Sequence, residues 1–331
     1  MSELRQDPTT YDWVIIAKER ARRPEEFKNE KKPKEHLPDY SKYCPFCPGN
    51  EERTPRAEAV YGDHDQWKIR VIPNKFPALT PDGTMEREEH KLFRKTHGYG
   101  RHEVIVETPL HNELLPFMTN ERIEELMKVY RDRYRALKGD PGIKVIIIFK
   151  NHGRRAGTSL VHPHTQIVAS PIVPPFIRRK FEIATHYFDN VGKCIHIELE
   201  RAEREDGTRV VADTTHFTAI HPFASHYPFE TWIMPKVHKP SFSGISEEEI
   251  RDLARILKEI LLKLHAGLEN PDYNLIVNSS PVDDENKSYY HWHIQIIPRL
   301  IEVAGFELGS GIYINSVLPE ETAAFMRGIK V

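Results

Sequence analysis

Cysteine, net charge and long apolar runs are all scarce in this 331-residue sequence, and each scarcity excludes a class of protein. Three cysteines cannot build a disulfide framework, and two of them form Cys44-Pro45-Phe46-Cys47, which favours a cytosolic metal site. The 47 basic and 49 acidic residues leave no charge excess to attract nucleic acid or a membrane surface. No purely apolar run is longer than Val145 to Phe149, which is far too short to span a bilayer, and the polar start has no signal-peptide core. We therefore expect a cytoplasmic protein that binds neither nucleic acid nor membranes.

Histidine, by contrast, is abundant at 18 residues, and it marks an internal duplication. Four landmarks recur in the same order in each half of the chain: Glu103, His111, Asn151 and His162-Pro163-His164-Thr165-Gln166, then Glu230, His238, Asn278 and His291-Trp292-His293-Ile294-Gln295. In both halves the glutamate lies 8 residues before the first histidine, which lies 40 residues before the asparagine. Such agreement is improbable by chance, so we interpret the chain as two copies of one module, joined near residues 171–190.

The hydrophobic pattern predicts the same elements in both copies. Ser246 and Glu249 form a capping box ahead of an apolar stripe at helical spacing, and residues 123–137 repeat that stripe in the first copy. Each helix is followed by a predicted strand, at residues 143–150 or 273–277, and then by the strand with the paired histidines. This order predicts an α+β fold of two duplicated modules, each an antiparallel sheet with one long helix.

We place the catalytic first module at residues 1–175 and a degenerate second module at residues 176–331. The stretches 1–70 and 80–100 are polar and rich in proline, and we expect them to form extensions and loops.

The paired histidines of the first copy are predicted to carry the chemistry. Residues i and i+2 of a strand point to the same face, so His162 and His164 suit a pair of metal ligands or a nucleophile beside its support. Neutral imidazole is a good nucleophile near pH 7, and its phosphoramidate adduct becomes labile once the ring is positively charged. An adduct on His164 would divide a nucleotidyl transfer into two displacements and produce ping-pong kinetics.

A glycine-rich segment directly before this pair distinguishes the copies. Gly153 and Gly157 would let backbone N–H groups approach a phosphate, with Ser159 and Arg154 or Arg155 as further donors. The corresponding segment of the second copy, Glu285-Asn286-Lys287-Ser288-Tyr289-Tyr290, has no glycine. We therefore expect catalysis in the first copy.

Gln166, two residues beyond the nucleophile, bears on the fate of the adduct. A third histidine there could donate a proton and help water to hydrolyse the adduct, whereas a glutamine amide can only hydrogen-bond a phosphate oxygen. This favours transfer to a second substrate over hydrolysis. The intact H-x-H-x-Q segment also disfavours a non-catalytic nucleotide-binding or zinc-stabilised scaffold.

Over essentially its whole length the chain resembles the galactose-1-phosphate uridylyltransferases of the histidine-triad superfamily. The segments that carry the resemblance are Asp7-Pro8-Thr9-Thr10 with Trp13, Arg20-Ala21-Arg22-Arg23-Pro24, Cys44-Pro45-Phe46-Cys47, Ile72-Pro73-Asn74-Lys75-Phe76-Pro77-Ala78, residues 151–166 and the His291 pair. The resemblance implies that His164 takes UMP from UDP-glucose, releases glucose 1-phosphate and passes UMP to galactose 1-phosphate. It also implies a cytoplasmic homodimer.

The resemblance further implies which residues contact the substrates. Ser159 and Gln166 would assist His164, and the nucleotide and phosphate pocket would be lined by Arg20, Arg23, Asn74, Phe76, Asn151, Gly157, Ser159 and Gln166. Phe306 and Glu307 stand where the well-known uridylyltransferases have a Tyr-Glu pair, and the carboxylate could accept hydrogen bonds from the hexose. The glycine-rich sequence around them also looks like that of ADP-glucose phosphorylases. An ADP-glucose phosphorylase or related adenylyltransferase using the same histidine is therefore the alternative.

A structural zinc site is expected in the first copy. The C-x-x-C motif is a zinc signal, and His111 and His162 complete a four-ligand set, as the zinc site of the family has. A set with no open position is structural, and it would orient the strand that carries His164.

The repeat also indicates a second set of ligands for zinc or iron. Cys194, His238 and His291 map onto Cys44, His111 and His162, whereas Ile197 stands where Cys47 would map. His196 or Glu198 would complete this set, and some relatives instead suggest Glu182 and His293 beside His291. A metal-free second copy is the open alternative.

Overall fold

The computed structural model describes residues 1–17, 23–27, 37–63 and 66–331. The strands in this part of the chain are β1 (Glu3–Gln6), β2 (Trp13–Ile16), β3 (Ala59–Asp63), β4 (Gln66–Pro73), β5 (Glu88–His90), β6 (Phe93–Lys95), β7 (Arg101–Val106), β8 (Val145–His152), β9 (His164–Ser170), β10 (Val210–Asp213), β11 (Phe217–Ile220), β12 (Thr231–Pro235), β13 (Tyr273–Asn278), β14 (His293–Pro298) and β15 (Tyr313–Asn315). The helices are α1 (Asn120–Leu137), α2 (Pro175–Val191), α3 (Ile195–Asp206), α4 (Glu247–Leu268), α5 (Gly305–Ser310) and α6 (Pro319–Gly328). Within the described ranges, no helix combines the length and the apolar character needed to cross a membrane.

The two long helices that the sequence predicts, one in each copy, are α1 and α4. The Thr119 hydroxyl accepts a hydrogen bond from the Arg122 N–H at the start of α1, and Ser246 forms the predicted capping box with Glu249 at the start of α4. The apolar stripes of both helices are buried, because residues at helical spacing share one face. They belong to one hydrophobic core, which also contains inward-facing residues of the strands.

In the described residues, ten strands form one antiparallel sheet in the order β10-β11-β12-β14-β13-β8-β9-β7-β4-β3. The predicted α+β class is confirmed, but the copies do not have separate sheets. β8 of the first copy pairs with β13 of the second, with Phe149 opposite Ile276, so the sheet is continuous. The histidine-bearing strands β9 and β14 flank this pair. An approximate two-fold axis therefore passes between β8 and β13.

The two faces of the sheet differ. α1 and α4 cover one face, whereas residues on the opposite face of β8 and β13 are partly exposed, as the alternation along a strand requires. We call this second face the open face. α2 and α3, which join the copies, lie on its second-copy side, where Phe181, Ile195 and Tyr290 form a small apolar cluster.

Some boundaries differ from the predicted ones. β8 covers Val145–His152 rather than residues 143–150, and the predicted extensions and loops at 1–70 and 80–100 contain the strands β1 to β6, with β4 running on to Pro73. Most of these strands are short or lie at sheet edges, where polar side chains obscure the alternation. The predicted division after residue 175 falls at the first residue of α2, and it stays a prediction.

The repeat is shifted by one residue between β7 and β12. Val104 of β7 lies opposite Gln166, and Trp232 of β12 lies opposite Gln295. Since the two glutamines are equivalent, Val104 and Trp232 are equivalent too. The sequence match of the two landmark glutamates is therefore wrong by one position.

This shift places the matched glutamates on opposite faces. Glu103 lies on the helix face, where Arg133 of α1 donates to its two carboxylate oxygens at 2.9 and 2.5 Å. Glu230 lies on the open face and accepts a hydrogen bond from Gln295 at 2.8 Å. The structural counterpart of Glu230 is His102. Glu230 lies two residues before Trp232, and His102 lies two residues before Val104, the equivalent of Trp232.

Replacement of Leu257 by alanine tests the shared core. Leu257 lies in α4 and is fully buried, so the cavity left by the smaller side chain should lower the free energy of unfolding by about 2–5 kcal/mol. Arg255→Ala, on the exposed side of the same helix, is the control and should change it by less than about 0.5 kcal/mol. Urea denaturation followed by circular dichroism measures both values, and equal losses would contradict this assignment of the core.

Candidate active site

Four potential metal ligands from three segments meet in the first copy. Cys44 and Cys47 precede β3, His111 follows β7, and His162 lies two residues before the start of β9. Their ligand atoms all lie within 4.8 Å of one another. Among the residues that the structure describes, this is the one group of three or more Cys, His, Asp or Glu side chains whose ligand atoms lie close enough together to hold a metal ion. The residues predicted to form the first metal site are thus brought together.

The distances within this group fit a tetrahedral ion. Both cysteine Sγ atoms lie 3.6 Å from His162 Nδ1, and Cys47 Sγ lies 3.5 Å from His111 Nδ1. Tetrahedral zinc, with bonds of about 2.3 Å to sulfur and 2.0–2.1 Å to nitrogen, requires sulfur–nitrogen separations of roughly 3.5 Å. Burial raises the pKa of the Cys44 thiol to about 11, so a cation is needed to hold its thiolate. His162 Nε2 donates to the Thr108 carbonyl oxygen at 2.7 Å, which leaves Nδ1 for the metal.

His164 is the first residue of β9 and has only 7% of its surface exposed. Its Nδ1 lies 2.8 Å from the backbone carbonyl oxygen of His162. Because a carbonyl oxygen only accepts, Nδ1 carries the hydrogen and Nε2 keeps its lone pair. Burial lowers the pKa of His164, which favours the neutral ring, and the edge of the Phe46 ring packs against it at 5.5 Å between centroids. The side chain is therefore a neutral imidazole with one tautomer, as a nucleophilic nitrogen requires.

A buried ion pair that was not predicted lies behind the strand of His164. Lys150 Nζ donates to the two carboxylate oxygens of Glu107 at 2.9 and 2.8 Å and to the His164 carbonyl oxygen at 3.3 Å. The Thr165 hydroxyl donates to the same carboxylate at 2.6 Å. Buried charges require such partners, and the pair holds the backbone of His164 in place. A lysine directly after the apolar run 145–149 is the sequence signal that could have revealed it.

The segment that contains Glu107 is one residue longer in the first copy than the equivalent segment in the second copy. Thr108 and Pro235 supply the equivalent carbonyl oxygens that accept from the first histidine of each pair. They follow the equivalent residues Val104 and Trp232 by 4 and 3 residues, respectively. The additional residue therefore lies within residues 105–107.

The glycine-rich segment forms the tight connection between β8 and β9. Gly153 and Gly157 have φ angles of +82° and +89°, in the left-handed region that glycine adopts without strain. A Cβ atom at Gly153 would overlap the Asp272 carboxylate, which accepts a hydrogen bond from the Arg155 backbone N–H at 2.6 Å. Gly157 and Ser159 are exposed, so their polar groups face solvent or a ligand.

Asn151 connects this loop to the open face. Asn274 Nδ2 donates to Asn151 Oδ1 at 2.8 Å and to the Ala156 carbonyl oxygen at 2.9 Å. A cavity of about 410 Å³ lies beside these residues, between the central strands and the first turns of α2. The polar side chains that line it are Asn151, Lys180, Asn274, Asn278, Ser279, Gln295 and Arg299.

Gln166 is held by a small hydrogen-bond network on the open face. His102 Nε2 lies 2.8 Å from Gln166 Oε1, and Asn74 Nδ2 donates to the same oxygen at 3.3 Å. Asn74 Oδ1 in turn accepts from the Phe76 backbone N–H at 2.9 Å. The structure thus brings together three of the predicted residues, Asn74, Phe76 and Gln166. His102 was missed because the sequence repeat was matched one residue away from it.

The remaining predicted substrate residues are not shown to contact this site. Arg20 lies outside the described residues, and Arg23 is exposed just before a short 3-10 turn. Phe306 is half-exposed in α5, and Glu307 caps that helix through its carboxylate. Their contacts with substrate stay predictions.

The predicted second set of metal ligands is not assembled in the described residues. Cys194 Sγ donates instead to the Tyr289 carbonyl oxygen at 3.3 Å, and His238 Nε2 lies 2.7 Å from the Tyr290 carbonyl oxygen. His291 Nδ1, the counterpart of the metal-facing Nδ1 of His162, accepts from the Lys239 backbone N–H at 3.0 Å. The isoleucine at position 197 removes the second thiol that would draw them around an ion.

The two residues offered as a fourth ligand also have other partners. The ring of His196 stacks on His293 with 5.7 Å between centroids, and Glu198 pairs with Lys193 at 3.0 Å. His196 corresponds to Phe46, since each lies two residues after the equivalent cysteine and packs against the second histidine of a pair.

The chain is similar to named relatives over nearly its whole length. It is 37% identical to ADP-glucose phosphorylase of Arabidopsis thaliana, with 99% of this chain and 93% of the relative covered. It is 32% identical to galactose-1-phosphate uridylyltransferase of Thermotoga maritima, with 100% and 99% covered. A crystal structure of the Arabidopsis ADP-glucose phosphorylase with bound ADP-glucose superposes with a TM-score of 0.85 at 33% identity, covering 100% of this chain and 99% of that one.

Two family models divide the chain between them. The one described as galactose-1-phosphate uridyl transferase, N-terminal domain, matches residues 1–174, and its C-terminal counterpart matches residues 180–328. The gap between the two matches falls in the first turns of α2. The chain belongs to the galactose-1-phosphate uridyl transferase family.

Proposed function

We propose that this enzyme transfers UMP from UDP-glucose to galactose 1-phosphate through a covalent uridylyl-His164 intermediate. The observation that carries the proposal is the state of His164, a buried neutral imidazole whose Nδ1–H is fixed on the His162 carbonyl oxygen. That hydrogen bond aims the lone pair of Nε2 away from the His162 backbone. The names of the relatives support both the reaction class and the sugar nucleotide as donor.

Each half-reaction is one displacement at phosphorus. In the first, His164 Nε2 attacks the α-phosphorus of UDP-glucose, a nitrogen–phosphorus bond forms, and the bond to the bridging oxygen breaks to release glucose 1-phosphate. The Nδ1–H stays on the His162 carbonyl oxygen, which stabilises the positive charge of the adduct. In the second, a phosphate oxygen of galactose 1-phosphate attacks the same phosphorus, and the neutral imidazole leaves.

The groups around the nucleophile would hold the phosphates. We expect the Gln166 amide, the Ser159 hydroxyl and the backbone N–H groups near Gly157 to donate to the non-bridging oxygens, because that charge grows in the transition state. Asn151, on the wall of the neighbouring cavity, would bind the nucleoside part. The buried pair of Glu107 and Lys150 contacts no substrate in this scheme and holds the strand instead.

A zinc ion bound by Cys44, Cys47, His111 and His162 would be structural. All four positions are protein ligands, so the ion has no site for a substrate, and its effect is to fix the segment that leads into His164. Buried thiols without disulfides also suit the reducing cytoplasm, where we place the enzyme as a homodimer.

Adenylyl transfer is the second candidate. It is favoured by the 37% identity to an ADP-glucose phosphorylase, and by the superposition on that enzyme with ADP-glucose bound. It would use His164 in the same way and differ in the base of the donor and in the acceptor.

The mass of the intact protein after incubation with a sugar nucleotide tests the mechanism. We expect UDP-glucose to add one uridylyl group to the wild type and galactose 1-phosphate to remove it. His164→Ala should form no adduct and lose at least about 10⁴-fold in turnover. His293→Gln is the matched control, since His293 holds the equivalent position in the second copy, and it should still form the adduct.

The donor distinguishes the two candidates. An adenylyl adduct from ADP-glucose, with none from UDP-glucose, would replace the uridylyl assignment by the adenylyl one. Full turnover in His164→Ala would refute covalent catalysis by this residue in either form.

Removal of one thiol tests the metal site. Cys47→Ser should reduce the bound zinc from about one ion per chain to nearly none, and it should lower the midpoint of thermal unfolding, because a structural metal stabilises only the folded state. Cys194→Ser changes a buried cysteine outside the group and should keep the metal. Elemental analysis of the purified variants measures the zinc content per chain. A full zinc content in Cys47→Ser would contradict the ligand assignment.

A further inference from the structure

The hydrogen bonds around Gln166 have a direction that two backbone N–H groups determine. The Ala78 N–H donates to His102 Nδ1 at 3.1 Å, so His102 is neutral and its hydrogen is on Nε2. His102 Nε2 therefore donates to Gln166 Oε1 over 2.8 Å. The Phe76 N–H likewise occupies Asn74 Oδ1, which leaves Asn74 Nδ2 as a second donor to the same oxygen at 3.3 Å. Asn74 Nδ2 also lies 3.1 Å from His102 Nε2, as two donors that converge on one oxygen do. The carbonyl oxygen of Gln166 is thus used by the protein. Its NH₂ group has no hydrogen-bond partner among the described residues and can bind a ligand.

The equivalent glutamine of the second copy is oriented the opposite way. Gln295 Nε2 donates to Glu230 Oε1 at 2.8 Å, and the Trp232 indole N–H donates to the same oxygen at 2.9 Å. The other oxygen, Glu230 Oε2, accepts from the backbone N–H groups of His226 and Tyr227 at 2.8 and 3.3 Å. Three other N–H groups donate to this carboxylate, which can only accept, so the NH₂ group of Gln295 is the end that it binds. The carbonyl oxygen of Gln295 accepts one long hydrogen bond, from Asn278 Nδ2 at 3.5 Å, and is the end that is presented.

His102 and Glu230 hold the same place relative to these glutamines. Val104 and Trp232 lie directly opposite the two glutamines. His102 and Glu230 each precede one of these residues by two positions, so each is the diagonal neighbour of its glutamine on the open face. The two copies therefore differ by a donor in one and an acceptor in the other. This difference decides which end of the amide is presented: an NH₂ group attracts a phosphate oxygen, whereas a carbonyl oxygen repels it.

We propose that His102 is a positioning residue that makes the first copy a phosphate-binding site, by donating from Nε2 to Gln166 Oε1 so that the Gln166 NH₂ group faces the nucleotide phosphate. The proposal rests on the function assigned to His164 and extends it to the choice between the two copies. Glu230 imposes the opposite orientation, and the second copy is therefore poorly suited to bind a phosphate at Gln295 even though its H-x-H-x-Q segment is complete.

Three substitutions of His102 distinguish the effect of its hydrogen-bond direction from the effect of its side-chain volume. His102→Gln places an amide near the former position of Nε2 and can still donate. His102→Glu places an acceptor there and should turn the Gln166 amide over, as in the second copy. His102→Ala removes the partner and lets the amide take either orientation.

The first readout is equilibrium binding by calorimetry of UMP and AMP, each compared with its uncharged nucleoside. The ratio of the two affinities isolates the contribution of the phosphate. We expect His102→Gln to keep this ratio within about threefold of wild type, and His102→Glu to lower it at least about tenfold, with His102→Ala in between. The rate of adduct formation at saturating sugar nucleotide should fall in the same order.

A double-mutant cycle excludes simple repulsion by the new carboxylate. In a Gln166→Ala background, His102→Glu should change the phosphate contribution by less than about twofold, since the amide through which it acts is gone. An undiminished loss in that background would mean that the negative charge acts directly on the phosphate, and it would overturn the proposal. An equal loss in His102→Gln and His102→Glu would overturn it as well.

A different experimental result would refute the proposed function itself. If wild type binds UMP and AMP no better than the nucleosides and forms no adduct, the assignment of a nucleotidyl-transfer site is wrong. A normal adduct, together with insensitivity to His102→Glu, would leave His164 catalysis intact and refute only the role of His102.

Discussion

The pairing of β8 with β13 is the constraint on which the rest of this molecule depends. It joins two copies of a module edge to edge, so that one row of residues crosses the sheet as Val104, Gln166, Phe149, Ile276, Gln295 and Trp232. The helices of both copies then share one core on one face, and the opposite face is left for ligands. Because the row is symmetric about its centre, each functional residue of the first copy has a counterpart whose surroundings can be compared directly.

That comparison shows how the site is held by polar groups that differ between the copies. Behind His164, the first copy has Lys150 on Glu107, whereas the second has Val277 at the position of the lysine. An ion pair as deeply buried as this one adds little net stability compared with an apolar pair, but it fixes geometry through directional bonds. The metal-ligand group acts on the other end of the same segment through His162. His164 is thus fixed from both sides, which suits the preorganised catalysis that we propose for it.

Much of this arrangement could be predicted from the sequence, because it depends on local pattern or on ligand chemistry. The helices α1 and α4 follow from apolar spacing and caps, and the group of Cys44, Cys47, His111 and His162 from residue types that bind zinc. The register of β7 against β9 could not be predicted, because spacing alone tolerates a one-residue shift. His102 was missed for that reason, since its role exists only once the strands are aligned. Lys150 had a usable signal, its place directly after an apolar run, but its partner Glu107 had none.

The additional residue in the first copy has a consequence for how the two halves diverged. A strand alternates with a period of two, so an insertion of one residue moves every side chain on one side of it to the other face. Glu107 lies in the stretch that contains the insertion and reaches the helix side, where its partner lysine lies. Point substitutions in the second copy would therefore not reproduce this buried ion pair, because the equivalent segment is one residue shorter. The two halves thus differ in chain length as well as in side chains at this strand, so an exchange of side chains alone cannot make them equivalent there.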